Sequence, residues 1–86
     1  MIPFSEKKIN NYYIRKFSEN IDSDELKWHR DKEDRIVSPI GETNWLFQRE
    51  NQLPEPINKD IRIKANEWHR VIKGTGDLNI KVYKIL

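Results

Sequence analysis

Apolar and polar residues alternate in short runs along this chain, and glycine, proline and asparagine separate the runs. A period of two is typical of β-strands, because successive side chains of a strand point to opposite faces of a sheet. Alanine occurs once, whereas β-branched and aromatic residues recur, and this composition also favours strands over helices. The pattern predicts strands at residues 12–17, 26–31, 35–38, 43–49, 60–64, 68–72 and 77–85.

The segments between these runs have the composition of turns and loops. Residues 18–25 are acidic and poor in apolar side chains, so at most one helical turn is expected there. Glycine marks turns at residues 39–42 and 74–76, and two prolines make residues 53–56 an edge or a loop, because proline cannot donate to a β-ladder. Short strands at near-regular spacing predict an all-β fold, a small sandwich or barrel.

The 86 residues suffice for one domain with a modest hydrophobic core. No repeat or linker divides the chain, so we predict a single domain in which residues 1–25 form an N-terminal strand and loop and residues 26–86 form the barrel core. An aromatic-rich N-terminal strand exposes an edge that can pair with a second copy. We therefore expect a homodimer, formed through residues 12–17 or through exposed tryptophans.

The two histidines of the chain, His29 and His69, both occur in the tripeptide Trp-His-Arg. Strand alternation places Lys27, His29 and Asp31 on one face of the first strand and His69 with Val71 on one face of the second. Two imidazoles on separate strands of a small β-domain can converge on one point. Such convergence is what a metal site or a small-ligand pocket requires.

Composition limits the other chemistry that is available. There is no cysteine, so a metal must be held by His, Asp, Glu, Gln or water. A net charge of +2, with both signs interspersed, gives no basic face for nucleic acid, although a five-stranded nucleic-acid-binding barrel is one alternative. No run of apolar residues is long enough for a signal peptide or a membrane span, so we expect a soluble, cytoplasmic protein without a membrane partner.

The first histidine segment resembles the first motif of the cupin family. That motif runs His-x-His, three or four residues, Glu, six residues, Gly. In this sequence, the matching positions are Lys27, His29, Asp34 and Gly41. The spacing is kept, but lysine replaces the first histidine and aspartate replaces the glutamate.

The second histidine segment resembles the second cupin motif, which runs Gly, five residues, Pro-x-Gly, two residues, His, three residues, Asn. Here the corresponding positions are Asn58, Lys64, Asn66, His69 and Lys73. Asparagine replaces both glycines, and it is the residue that after glycine best tolerates positive φ, so the turns can be kept. The resemblance covers residues 27–73 and implies a small double-stranded β-helix with a pocket between its two sheets.

The resemblance also implies a divalent metal, Fe, Mn, Ni or Zn, bound by His29, His69 and Asp34. A second register is open, because His29-x-Asp31 with the distant His69 imitates the two-histidine, one-carboxylate triad of non-haem iron sites. Lys27 cannot ligate a metal while it is protonated, so it is expected in the pocket only. A metal-free polar pocket and purely structural histidines are the alternatives.

Gln48 and Arg35 are further candidates for the pocket, and Arg30 and Arg70 are candidates for binding an anion at its mouth. The function expected from the sequence is that of a small cupin-like protein whose pocket binds a divalent metal or a small polar or anionic ligand. A non-enzymatic accessory protein is the alternative of a different class. No catalytic residues are predicted.

Overall fold

Two antiparallel sheets pack against each other in the computed structural model of this chain, which describes residues 2–85. The larger sheet has five strands in the order β1-β2-β8-β3-β6. These strands are β1 (Ser5–Ile9), β2 (Tyr12–Phe17), β3 (Asp34–Pro39), β6 (Ile61–Ile63) and β8 (Leu78–Ile85).

The smaller sheet has three strands in the order β5-β4-β7. They are β4 (Leu46–Arg49), β5 (Glu55–Pro56) and β7 (His69–Ile72). A single 3-10 turn at Ser23–Glu25 fills the acidic segment where one helical turn was expected. The all-β prediction is confirmed. The described residues contain no helix with the length and apolar character that a bilayer span requires.

The core lies between the two sheets and follows strand alternation. On β8, Leu78, Ile80 and Val82 are buried, while the residues between them are only partly covered. From the smaller sheet, Trp45 and Phe47 point into the same layer, as alternation predicts. The Trp45 indole N–H donates to the carbonyl of Gly76 at 2.9 Å, so its polar atom is satisfied inside the core.

One predicted strand is absent and one strand was missed. Residues 26–31 are not a strand, because only His29 makes a ladder-type pairing there. The missed strand is β1, whose sequence Ser-Glu-Lys-Lys-Ile is too polar to show a buried face. It pairs with β2 through a tight turn in which Ile9 faces Tyr12 and Asn10 adopts a φ of 51°.

This hairpin changes the expectation for self-association. β2 is paired with β1 on one side and with β8 on the other. Residues 12–17 therefore offer no free edge to a second copy, and the exposed β1 carries charged residues that disfavour edge pairing. A dimer through the tryptophan surface stays a prediction.

Candidate metal centre

His29 and His69 lie opposite each other across an isolated antiparallel β-bridge. The backbone N–H of His29 donates to the carbonyl of His69 at 3.0 Å, and the N–H of His69 donates to the carbonyl of His29 at 2.9 Å. The two imidazole rings lie edge to face, with their centroids 4.2 Å apart. The predicted convergence of the two histidines is confirmed.

The residues flanking the histidines form the opposite face of this bridge. The Arg70 guanidinium carbon lies 4.6 Å from the ring centroid of Trp28, and the Arg30 guanidinium carbon lies 5.1 Å from that of Trp68. Side chains alternate along each extended segment, so these cation–π pairs lie on the side opposite the histidines. Arg30 and Arg70 therefore stack on tryptophans and do not line the cavity described below.

Asp31 completes a group of three potential ligands. One ligand atom each from His29, Asp31 and His69 can be chosen such that all lie within 4.8 Å of one another. Oδ2 of Asp31 lies 3.2 Å from Nε2 of His69. The contact is an ion pair only when Nε2 of His69 carries a proton, and this buried carboxylate oxygen has no other hydrogen-bond partner among the described residues. The arrangement follows the second register of the sequence, His29-x-Asp31 with His69.

Backbone carbonyls orient both imidazoles. Nδ1 of His69 lies 2.7 Å from the carbonyl oxygen of Glu67, and Nδ1 of His29 lies 3.3 Å from that of Lys27. A carbonyl only accepts, so each Nδ1 carries the hydrogen, and in the neutral tautomer Nε2 keeps its lone pair. The Nε2 lone pair of His69 then faces a carboxylate oxygen, and these two atoms attract only if a cation, either a proton or a metal ion, lies between them.

A sharp turn precedes β7 and helps to fix the position of His69. Asn66 has a φ of 65°, as expected for an asparagine at a glycine position of the second motif. Its backbone N–H donates to the carbonyl of Asp31 at 2.6 Å. The turn that positions His69 is therefore also hydrogen-bonded to the backbone of Asp31.

The protein environment favours the metal-ready protonation states of two of these groups. Partial burial, reinforced by the nearby His69 ring, lowers the pKa of His29, which keeps that imidazole neutral to a lower pH. Burial by itself raises the pKa of the Asp31 carboxyl. The neighbouring His69 ring and the Arg35 guanidinium, 3.4 Å away, outweigh burial and bring this pKa below its ordinary value.

The three groups lie at the wall of a cavity of about 250 Å³ between the two sheets. His29, although exposed as a residue, has part of its surface on this cavity, whereas His69 is buried. Most of the remaining wall is aliphatic or aromatic, from Phe4, Phe17, Leu26, Val37, Phe47, Ile57, Ile61, Ile63, Val71, Ile80 and Val82. The cavity thus combines one polar corner with an apolar chamber.

Lys27 and Arg35 line this cavity, whereas Asp34 and Gln48 do not. The Asp34 carboxylate accepts from the backbone N–H of Ala65 at 2.8 Å and from Arg62 at 3.3 Å, so it ties β3 to the loop after β6. Asp34 therefore lies outside the group formed by His29, Asp31 and His69. The structure brings Asp31 to the histidines in its place.

Gln48 lies on the outer face of the smaller sheet. Its carbonyl oxygen accepts from Nε of Arg70 at 2.9 Å, and its amide donates to the carbonyl of Gln52 at 3.0 Å. Alternation explains this position, because Phe47, its neighbour on β4, occupies the inner face.

Arg15 is a cavity residue that the sequence analysis missed. It lies on β2 beside the apolar chamber, it is paired with Glu6, and its guanidinium carbon lies 3.8 Å from the ring centroid of Phe4. Burial lowers the pKa of this arginine. Period-two alternation with the buried Phe17 on the same strand could have identified it.

These two sheets, with a cavity and a histidine-containing polar corner between them, define a cupin fold. A cupin domain from Bordetella pertussis superposes with a TM-score of 0.63, at 12% sequence identity over 96% of this chain and 92% of that chain. Protein NMB1881 from Neisseria meningitidis superposes with a TM-score of 0.60, at 8% identity over 96% of this chain and 82% of that chain. At these identities the similarity establishes the fold alone.

The sequence itself matches no protein-family model and no curated protein. The recognisable features are therefore structural, namely the sheet arrangement and the three converging side chains.

Proposed function

We propose that this protein binds a divalent first-row transition metal through His29, Asp31 and His69, and that open coordination positions of the metal face the cavity. One observation carries the proposal. Two imidazoles and one carboxylate, ligands suited to such metals, converge within 4.8 Å, and the carboxylate oxygen is buried without a hydrogen bond. A buried carboxylate oxygen without a partner is costly, and a bound cation removes that cost.

The distances are compatible with this role after small side-chain rotations. Imidazole nitrogens and carboxylate oxygens bind zinc at about 2.1 Å, which places two ligand atoms of a tetrahedral site roughly 3.4 Å apart. The Asp31–His69 pair, at 3.2 Å, is already close to that separation. His29 lies at the more exposed end, where its ring has room to close the remaining distance.

The neighbouring residues support the ligands as they would in a metal site. The carbonyls of Lys27 and Glu67 accept from the Nδ1 atoms and so direct the Nε2 lone pairs outward from the backbone. Arg35 lies beside the other oxygen of Asp31 and holds the carboxylate in position. When bound, the metal would supply Lewis acidity toward an oxygen atom of a ligand in the cavity.

Two imidazoles and one carboxylate suit Fe(II), Mn(II), Ni(II) and Zn(II), and three protein ligands leave positions for water or substrate. Isothermal titration of the purified chain with Mn(II), Ni(II) and Zn(II) tests the proposal. We expect binding of one equivalent of at least one of these ions by the wild type and no such binding by a His29→Ala/His69→Ala double variant.

The matched control is Asp34→Ala, which removes a carboxylate of the same type outside the cavity. Circular dichroism verifies that each variant is folded. Equal binding by the wild type and the folded double variant, or no binding by the wild type, would refute the metal centre.

A further inference from the structure

We infer that the cavity takes a small organic acid, with its carboxylate at the polar corner and an apolar body in the chamber. The inference rests on the proposed metal centre for one of the two carboxylate contacts. The other contact is a buried donor of this chain, Nε of Arg35.

Arg35 lines the cavity and carries a donor without a partner among the described residues. One of its terminal nitrogens lies 3.2 Å from Glu33 and 3.4 Å from Asp31, but its Nε is buried and makes no hydrogen bond to the described residues. The side chain is only 12% exposed. A buried N–H without an acceptor is costly, and a carboxylate oxygen in the cavity would satisfy it with a charge-assisted hydrogen bond.

Asp31 places the two carboxylate contacts side by side. One of its oxygens is directed to His69 and the other to Arg35. A metal held by the histidines and Asp31 therefore lies next to the guanidinium. A planar carboxylate can span the two cations, with one oxygen on the metal and the other on Nε.

The charge in this corner favours a monoanion. The divalent ion with Arg35, Lys27 and Arg15 brings five positive charges, while Asp31, Glu33, Glu25 and Glu6 bring four negative ones. One ligand carboxylate makes the corner neutral. A phosphate would bring a second charge and more acceptor oxygens into a chamber whose remaining wall is largely apolar.

The chamber sets the size and the polarity of the rest of the ligand. A volume of about 250 Å³ holds roughly eight water-sized groups at about 30 Å³ each. The aliphatic and aromatic wall offers water few hydrogen-bond partners, so an apolar body gains by replacing that water. Hexanoate, with eight non-hydrogen atoms, is the straight-chain acid that fits this volume.

Titration of the zinc-loaded protein with acetate, butyrate, hexanoate and octanoate tests the inference by calorimetry. Affinity should rise about fourfold for each added methylene up to hexanoate and then level off, because burial of a methylene contributes that factor. Hexanol and hexanamide have the same body without the charge, and they should bind at least tenfold more weakly. Equal affinity across the acids, or equal affinity of hexanol and hexanoate, would overturn the inference.

Two variants separate the corner from the chamber. Arg35→Lys keeps the charge but removes Nε, and we expect it to lower the affinity for hexanoate about tenfold or more. Arg70→Lys, on the outer face, should leave that affinity unchanged. Val71→Phe fills the chamber and should abolish the preference for hexanoate over acetate. A length preference that persists in folded Val71→Phe protein would contradict the assignment of the chamber.

Failure of the metal centre can be distinguished from failure of the organic-acid inference, because the affinities for zinc and for the carboxylic acids are measured separately. If zinc does not bind, the metal centre fails, and the acid series is then decided on the metal-free protein, where Nε of Arg35 and the chamber remain. If zinc binds and the acids show no dependence on length or charge, the metal centre stands and the organic-acid inference fails.

Discussion

Oδ2 of Asp31 and Nε2 of His69 lie 3.2 Å apart at the wall of the cavity, and both side chains are largely covered. The pair joins the segment before β3 to the first residue of β7. A cation between the two atoms, either a proton or a metal ion, compensates the burial of both. Removal of either partner therefore leaves a poorly compensated polar group in the protein interior.

His69→Ala should be the more destabilising of the two histidine substitutions. It removes a side chain that is 5% exposed, with its 2.7 Å contact to the Glu67 carbonyl, and it leaves Asp31 Oδ2 without this neighbour. We expect a loss of about 2–3 kcal/mol in the free energy of unfolding, against about 1 kcal/mol or less for His29→Ala at the exposed end. Urea unfolding in the presence of EDTA measures both, and equal losses would contradict the different burial of the two rings.

Asp31→Asn and Asp34→Asn distinguish the two candidate carboxylates. The first change removes the charged oxygen that faces His69, so zinc affinity should fall by more than the roughly 10–100-fold typical of losing a residue behind a metal ligand. The second acts on a carboxylate bonded to Ala65 and should leave zinc affinity unchanged. The reverse order of effects would reinstate Asp34 as the ligand.

Acid should release the metal, because protons compete for the imidazole nitrogens. The pKa of His29 is lowered by burial, so this ring stays available to a lower pH than an ordinary histidine would. We expect zinc affinity to hold through neutral pH and to decline only at acidic pH. Calorimetric titrations across this range, with circular dichroism as the check on folding, measure the decline, and affinity that is independent of pH would exclude imidazole ligands.

Gly74→Ala should destabilise the last hairpin through a steric clash. A Cβ at this position would lie 2.2 Å from Oδ1 of Asn44 and 2.8 Å from the backbone nitrogen of Trp45. The expected loss is about 3 kcal/mol. Gly76→Ala is the matched control, since a Cβ there would meet open space. Only the positive φ of this residue disfavours alanine, and we expect a loss of about 1 kcal/mol in the free energy of unfolding. Thermal unfolding that ranks Gly76→Ala as the worse variant would contradict this packing.

Asp77 should contribute to stability above the acid range. Its carboxylate accepts from the backbone N–H of Glu19 at 2.7 Å, and this bond, aided by Lys16, lowers the pKa of the group. A lowered pKa in the folded state means that the stabilisation is complete above the ordinary pKa of about 4 and is lost as the pH falls through the folded-state pKa. Asp77→Asn should be less stable than the wild type at neutral pH, and the difference should shrink in acid. A difference that does not change with pH would contradict this linkage.

Alternation made much of the fold predictable from the sequence. The faces of β8 follow from it, because its inner residues Leu78, Ile80 and Val82 are apolar, whereas β4 has an apolar residue on each face. β1 was not predicted because its residues are mostly charged and show no alternation of apolar side chains. This edge strand forms through its pairing with β2, which the sequence of one short segment does not indicate.

The site was predictable as a pair of histidines but not as a complete set of ligands. Asp31 and Asp34 both fit the expected spacing, and the choice between them depends on where β3 begins. Asp34 is the first residue of β3, and its carboxylate accepts a hydrogen bond from Ala65. Asp31, three residues earlier, is therefore the carboxylate that lies beside His29. That boundary is set by long-range pairing with β6 and β8, which local sequence does not report.

The segment around the isolated bridge at His29 lines the cavity but lies outside both sheets. Residues 26–33 belong to neither sheet, and their backbone is tied to the opposite segment by the paired bonds at His29 and by the Asn66–Asp31 bond. Because this segment lies outside both sheet ladders, local opening there breaks fewer backbone hydrogen bonds than opening of β8. We therefore expect the amides of residues 26–33 to exchange with solvent deuterium ahead of those in β8.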